Sequence, residues 1–205
     1  MKRLLISILL LACALQSVSA GDMVSDFAAK VAKSCVSFDY AFKYTADAPV
    51  TGSGGVVLQQ NCYKMIGGGM EIWSDGKTRW TVDHSAREAY IEAVETSNID
   101  YISNPSALIM AVGSVFTQSA ASPAVFNGKS VTSVTLHPSV SDTGLQSVLM
   151  YFGPSALPVG LVATLDDGTK VTITLKNFTL DPISKQSFSF DMSRLGNSYF
   201  VTDLR

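Results

Sequence analysis

Few residues in this chain could perform acid–base or nucleophilic chemistry. Only two histidines are present, His84 beside Asp83 in a predicted turn and His137 before Pro138 at a predicted strand end. Either ring could act as a general base in principle, but a solvated loop histidine is the simpler interpretation of both. The sequence contains no Gly-x-Ser-x-Gly elbow, no His-Glu-x-x-His motif and no Cys/His cluster with metal-ligand spacing. We therefore predict a protein that is not an enzyme and that holds no metal or cofactor.

Large apolar side chains are the feature that stands out instead. In the segment SFDYAFKY, aromatic residues alternate strictly with small or polar ones, which predicts a strand with one wholly aromatic face. For any single large apolar residue, a place in an ordinary packed core is the simpler interpretation. The whole set favours a lipid-like ligand, because one sheet and two helices need fewer large apolar residues to form their core. The candidates for an apolar binding surface are Phe38, Tyr40, Phe42, Tyr44, Met65, Trp73, Trp80, Leu108, Val112, Phe116, Met150 and Phe152.

Both tryptophans lie beside one predicted hairpin. The turn signal Asp75-Gly76 stands between the segments MEIWS and TRWTVD, and each segment carries one tryptophan. With EAYIEAV, these segments follow one another at short intervals. This spacing predicts an antiparallel meander.

Two amphipathic helices are predicted to position the apolar residues. Residues 22–34 repeat apolar side chains at three- and four-residue spacing. Residues 104–116 begin with Asn104 as N-cap and Pro105 at the first helical position, and their apolar stripe predicts a lid over the open side of a sheet.

The remaining segments are predicted to be short strands. We expect a glycine-rich loop at 49–55, one strand at 56–66, strands in SVTSVTLHP and QSVLMYFG, a hairpin at Asp167-Gly168 and a last strand at 186–192. About ten antiparallel strands and two helices predict a mainly β fold with some α. We expect an incomplete antiparallel barrel, a strongly curved sheet whose open side the helices cover, with an apolar cavity.

The first twenty residues are typical of an export signal. A basic start, the apolar run LLISILLLACAL and the ending Val18-Ser19-Ala20 predict cleavage after Ala20, which leaves a single domain at 21–205. Lipidation of Cys13 is the alternative.

The formal net charge of -2 and the lack of a basic cluster after the signal argue against nucleic-acid binding. We expect a monomer in an exported compartment.

Two cysteines, Cys35 and Cys62, follow the predicted cleavage site. An exported compartment permits a disulfide between them, and two small buried apolar residues are an equally acceptable interpretation.

In the order of its elements the chain resembles the periplasmic outer-membrane lipoprotein carrier family, LolA-like, especially its divergent members in Bacteroidetes-type bacteria. The resemblance rests on the helix, the aromatic strand, the glycine-rich loop, SDGKTRWTVD, NPSALIMAV and the closing VTDLR, and it spans the predicted mature chain. It implies an incomplete barrel whose apolar cavity takes the acyl chains of lipidated proteins, with Trp73 and Trp80 either turned toward that cavity or sealing the barrel against a helix. Proteobacterial members of that family carry an arginine on an early strand that contacts the helical lid; here Lys64 is the only cation in the comparable stretch.

The resemblance implies a periplasmic carrier that ferries lipoproteins from the inner to the outer membrane. Its implied partners are an inner-membrane ABC-type lipoprotein-releasing transporter and an outer-membrane acceptor. The second hypothesis is a lipid- or lipoprotein-sensing module of the same fold that regulates a membrane partner. The third, an enzyme acting on lipids, lacks a nucleophile–base pair.

Overall fold

The computed structural model describes residues 20–45, 49–94, 101, 108–109 and 111–205. These residues form one α-helix, thirteen strands and a short 3-10 helix at Met192–Arg194. The predicted signal segment lies almost entirely outside the described residues. The bounds of the α-helix and the strands are α1 Ala20–Val31, β1 Ser34–Thr45, β2 Val50–Gln59, β3 Cys62–Gly67, β4 Met70–Ser74, β5 Thr78–Asp83, β6 Glu88–Ala93, β7 Phe116–Gln118, β8 Ser122–Phe126, β9 Lys129–Pro138, β10 Leu145–Phe152, β11 Pro158–Leu165, β12 Lys170–Pro182 and β13 Phe200–Asp203.

The strands form one large, strongly curved and unclosed sheet. Its order is β13-β6-β5-β4-β3-β2-β1-β12-β11-β10-β9-β7, with β8 also paired to β9. The described strand pairs are antiparallel except β6 and β13, which run parallel. The predicted incomplete barrel is thus confirmed, with more strands than the sequence indicated.

The inner face of the sheet, defined here as the face that carries Phe38, packs against α1. Val24, Phe27 and Val31 of α1 are fully or almost fully buried, as the amphipathic pattern predicts. The Phe27 ring meets Phe152 edge-on at 5.9 Å between centroids. One continuous apolar core therefore joins α1 to the two halves of the sheet.

The glycine-rich segment is a strand, which corrects two predictions. Residues expected to form a loop at 49–55 lie largely in β2, and the strand expected at 56–66 is a hairpin whose turn is at 60–61. Gln60 takes a positive φ of 53° in that turn. Glycine was interpreted as a turn signal, whereas its role here is to leave room for aromatic rings of β1, as described below.

Three further predictions differ from the structure. Leu108, Ile109 and Ala111 are helical, but 112–115 form turns and Phe116 begins β7, so the predicted helix ends earlier; 102–107 and 110 lie outside the described residues. Two short strands, β7 and β8, follow at Phe116–Gln118 and Ser122–Phe126, where the sequence pattern predicted none. Residues 186–192 contain no strand.

No helix in the described ranges is long and apolar enough to cross a membrane.

Residues 183–199, here called the C-terminal strap, cross the outer face of the sheet. Ser184 exchanges two hydrogen bonds with the Gln59 side chain, of 3.0 and 3.2 Å. Farther along, the Phe190 ring meets Trp73 edge-on at 5.8 Å. The strap thus spans from β2 to β4 and leads into β13 beside β6.

The register separates the two cysteines. Cys35 of β1 and Cys62 of β3 both pair with Gln59 of β2, which lies between them. Two strand spacings are about 9.5 Å, beyond the Cα separation of about 4.4–6.8 Å that a disulfide allows. Both thiols are free in the structure.

We predict two reactive thiols when the protein cleaved after Ala20 is unfolded without reductant. Before unfolding, both should react slowly, because burial raises the pKa of Cys35 and of Cys62. Titration with a chromogenic thiol reagent checks this count. A count of zero, together with an intact mass lower by two hydrogens, would indicate a disulfide and contradict the register.

Candidate functional site

An aromatic row on β1 forms the centre of the candidate surface. Phe38 is buried, whereas Tyr40, Phe42 and Tyr44 are partly exposed and pack against the same core. The polar residues between them face the other way and are mostly exposed. Apolar surface on the inner face is thus closed at Phe38 and partly open at Tyr40, Phe42 and Tyr44.

Glycines of β2 let the aromatic rings lie across the sheet. Gly52 and Gly54 pair directly with Phe42 and Tyr40. A Cβ at Gly52 would come within 2.7 Å of Phe42 Cζ, and one at Gly54 within 2.8 Å of Tyr40 Oη. The two rings lie nearly parallel at 18°, with centroids 6.4 Å apart. They therefore form a flat apolar floor that side chains on β2 would prevent.

Ten of the twelve candidate residues belong to the main core on the inner face. Phe38, Val112, Phe116, Met150 and Phe152 are buried among protein atoms and act as packing. The accessible part of the surface consists of Tyr40, Phe42, Tyr44, Met65 and Leu108, all partly buried. The structure thus divides the candidates into a closed half under α1 and a more open half.

Sequence reasoning missed several neighbours on this open half. Ile173 and Leu175 of β12 pair with Phe42 and Tyr40, and Ile72 of β4 pairs with Met65. All three are partly buried against the main core. The alternation in KVTITL gave a signal for β12, but only the strand order shows that β12 lies beside β1.

Trp73 and Trp80 lie on the outer face of the sheet, not on the inner face that would line the proposed cavity. They pair directly with each other, while Ile72, one residue earlier, is on the inner face. Both rings belong to a second cluster that includes Phe190 of the strap. This corrects both alternatives given above, because the tryptophans seal the sheet against the strap instead.

Lys64 is also on the outer face. Its Nζ lies 4.4 Å from the centroid of the Trp73 ring, a cation–π contact. It therefore lies on the face of the sheet opposite to the one on which α1 packs.

A polar network anchors the strap beside Trp73. The Glu71 carboxylate accepts hydrogen bonds from Trp73 Nε1 at 2.9 Å and Arg194 Nη2 at 3.2 Å. His84 Nε2 lies 3.0 Å from Glu71 Oε1, and its Nδ1 lies 2.7 Å from the Tyr199 hydroxyl. His84 lies in a turn and is exposed, as the sequence predicts, and its two contacts also link β4 to the strap. Within the described ranges, no three His, Cys, Asp or Glu side chains lie where they could hold a metal ion.

We predict that stability falls in acid through Glu71. Burial raises its pKa, but bonds from Trp73 and His84 and the charge of Arg194 outweigh burial and leave the pKa below its ordinary value. A depressed pKa contributes stability above the unfolded pKa, and this contribution is lost as pH falls through the folded pKa. Melting temperatures from pH 7 to pH 3 should therefore drop in the acid range.

The Glu71→Gln variant provides the comparison. It should lose about 1–3 kcal/mol at neutral pH, because Arg194 and His84 lose a charged partner, and its acid decline should be shallower. Asp26→Asn, an exposed carboxylate on α1, serves as the control with a wild-type profile. An unchanged acid decline in Glu71→Gln would assign the effect to other groups.

The outer face also carries a depression of about 310 Å³ over β1, β2 and β3. Its lining mixes apolar side chains with Asp39, Lys64 and Asn177. The Asn177 side chain donates to Asp39 at 2.6 Å. Two charged side chains in the lining, Asp39 and Lys64, make this depression less suited to acyl chains than the inner face.

Comparison with known proteins places this arrangement in a family. Residues 69–191, more than half of the chain, match the family described as outer membrane lipoprotein carrier protein LolA. No curated protein matches the chain.

Three solved structures are similar to it in different degrees. An uncharacterized conserved protein from Thermus thermophilus has 7% identity and a TM-score of 0.52, with 90% of this chain and 98% of that chain covered. A LolA superfamily protein from Nitrosomonas europaea has 11% identity and a TM-score of 0.46, with 83% and 97% covered. The Pseudomonas aeruginosa MucA/MucB complex has 9% identity and a TM-score of 0.47, with 86% and 60% covered. The first likeness concerns the fold alone, and the family match over residues 69–191 carries the conclusion: the chain belongs to the LolA family of outer membrane lipoprotein carrier proteins.

Proposed function

We propose that this protein is a periplasmic carrier that binds the acyl chains of lipoproteins on the inner face of its sheet and ferries them from the inner to the outer membrane. The observation that supports it is the partly exposed row Tyr40, Phe42 and Tyr44, in a chain that belongs to the LolA family.

The physical need for such a surface is large. Each CH₂ group removed from water contributes about 0.8 kcal/mol, so several long acyl chains cannot cross an aqueous compartment unprotected. An apolar inner face lowers this barrier without a chemical step. The partners in this proposal are an inner-membrane transporter that loads the carrier and an outer-membrane acceptor that unloads it.

We propose that acyl chains enter this surface beside Leu108. The helical residues Leu108 and Ile109 pack against the main core only partly buried. We therefore propose that the segment around Leu108 acts as the lid, and that acyl chains compete with it for the aromatic row.

A release assay tests the proposal. Purified protein is added to spheroplasts that retain fully acylated lipoproteins, and soluble complexes are separated by size and analysed for lipoprotein. We expect a soluble complex of carrier and lipoprotein to form, and to donate the lipoprotein to outer-membrane vesicles. Lys43→Glu, on the polar face of β1, is the matched control with unchanged release.

The same assay distinguishes the sensing alternative. A sensor would form a stable complex with an integral membrane protein and transfer no lipoprotein to vesicles. A soluble fraction and vesicles without lipoprotein, together with no complex with a membrane protein, would contradict both roles.

A further inference from the structure

Among the strands that the structure describes, β13 pairs only with β6, so its other edge is free of them. Phe200 N donates to Arg87 O at 2.9 Å, and Leu204 N donates to Ile91 O at 2.8 Å, so these groups face β6. Because backbone groups alternate in direction along a strand, the N–H and C=O groups of Val201 and Asp203 point to the free edge. Such groups bind an extended backbone.

Exposed apolar side chains surround this edge. Phe200 is 71% exposed, Leu204 60% and Val201 45%. Phe200 and Leu204 flank Thr202, whose partner on β6 is the exposed Tyr90. An added strand would therefore find backbone partners and apolar neighbours together.

The free edge is continuous with the inner face. A single row of directly paired residues crosses the sheet from the core to β13, and its members are Phe38, Val56, Met65, Ile72, Thr81, Tyr90 and Thr202. Phe200 and Leu204 share the face of this row. A molecule whose acyl chains occupy the aromatic row could thus extend its polar part along the same face toward β13.

We propose that the free edge of β13 pairs with the extended polypeptide segment that follows the acylated residue of a bound lipoprotein. This inference rests on the proposed function. Main-chain pairing gives affinity that depends little on sequence, which suits a carrier of many different lipoproteins.

The length of the edge favours a tethered segment over a second copy of the chain. β13 spans four residues. Pairing along so short a strand buries only a small part of the roughly 800 Å² per partner that stable interfaces bury. A segment held by its own acyl chains needs less, because its effective concentration at the edge is in the millimolar range.

Two synthetic probes test the inference. One is a triacylated cysteine amide, and the other carries the same lipid followed by an eight-residue uncharged peptide. We expect the peptide probe to bind the wild-type protein about tenfold more tightly. Val201→Pro removes the N–H at the free edge and none that faces β6, so it should bind both probes equally, at the affinity of the lipid probe.

Val201→Ala is the matched control, because it shortens the side chain and keeps the N–H. A third probe with N-methylated peptide bonds, bound to wild-type protein, gives the same comparison without any substitution and should match the lipid probe.

Each outcome decides between the hypotheses. Equal binding of the first two probes to wild-type protein would overturn the peptide contact and leave acyl binding intact. Failure of both probes to bind would overturn the proposed function and this inference together. Dimers that sediment in a concentration-dependent manner and are lost in Val201→Pro would assign the edge to a second copy and overturn the peptide contact.

Discussion

Replacing Phe42 with glutamate is expected to abolish binding of acylated probes. Phe42 lies over Gly52 and packs against the main core, so the new carboxylate would face apolar side chains. Burying a polar group without a partner costs about 2–7 kcal/mol, and burying an unpaired charge costs more. Because 1.4 kcal/mol is a factor of ten, we expect affinity to fall by about thirtyfold or more, measured by titration with a fluorescent acyl probe.

The neighbouring residue is the matched control for this experiment. Lys43 is exposed on the opposite face of β1, so Lys43→Glu should keep both stability and affinity. Phe42→Leu, which remains apolar, should bind within a few-fold of wild type and shows whether a loss in Phe42→Glu reflects charge. Wild-type affinity in Phe42→Glu would place the acyl chains elsewhere.

Replacing Gly54 with alanine is expected to produce a large loss of stability from a single methyl group. A Cβ at Gly54 would overlap the Ile66 carbonyl oxygen and come within 3.0 Å of Gly67 Cα. These are backbone atoms of β3, so β2 and β3 would have to separate. We expect a loss of about 2–3 kcal/mol in urea unfolding.

The adjacent glycine makes this a controlled comparison. A Cβ at Gly55 would meet only Asp39 Oδ1, at an ordinary 3.6 Å, so Gly55→Ala should change stability by about 0.5 kcal/mol or less. Equal stability of the two variants would show that β2 and β3 are not as closely paired as the register indicates.

Local alternation in the sequence was sufficient to predict β1 and its aromatic face. Phe38, Tyr40, Phe42 and Tyr44 recur at the strand period, and the polar residues between them need no tertiary contact to be placed. The meander from β4 to β6 and the hairpin at Asp167-Gly168 were predicted for the same reason, since turn signals and alternation are local.

Non-local pairing explains what the sequence did not reveal. Gly52 and Gly54 indicated a loop because glycine favours turns, whereas the rings that need the space belong to another strand. Trp73 and Trp80 could be placed on a face only once the register was known, because a shift of one residue moves every side chain to the opposite face.

The C-terminal strap shows why alternating apolar residues do not always indicate a strand. Phe188 and Phe190 are both buried and alternate like residues of a strand, yet the segment pairs with none of the described strands. Alternating burial requires an extended backbone over an apolar surface, and it does not require a neighbouring strand.

The location of bound acyl chains is the central claim, and photochemical labelling tests it most directly. A triacylated lipoprotein whose acyl chains carry diazirine groups is bound to the protein and irradiated, and the labelled residues are identified by peptide mass spectrometry. We predict labels on Tyr40, Phe42, Tyr44, Met65 and Ile173, with competition by unlabelled lipoprotein. Labels confined to the outer face, around Trp80 and Phe190, would contradict the account.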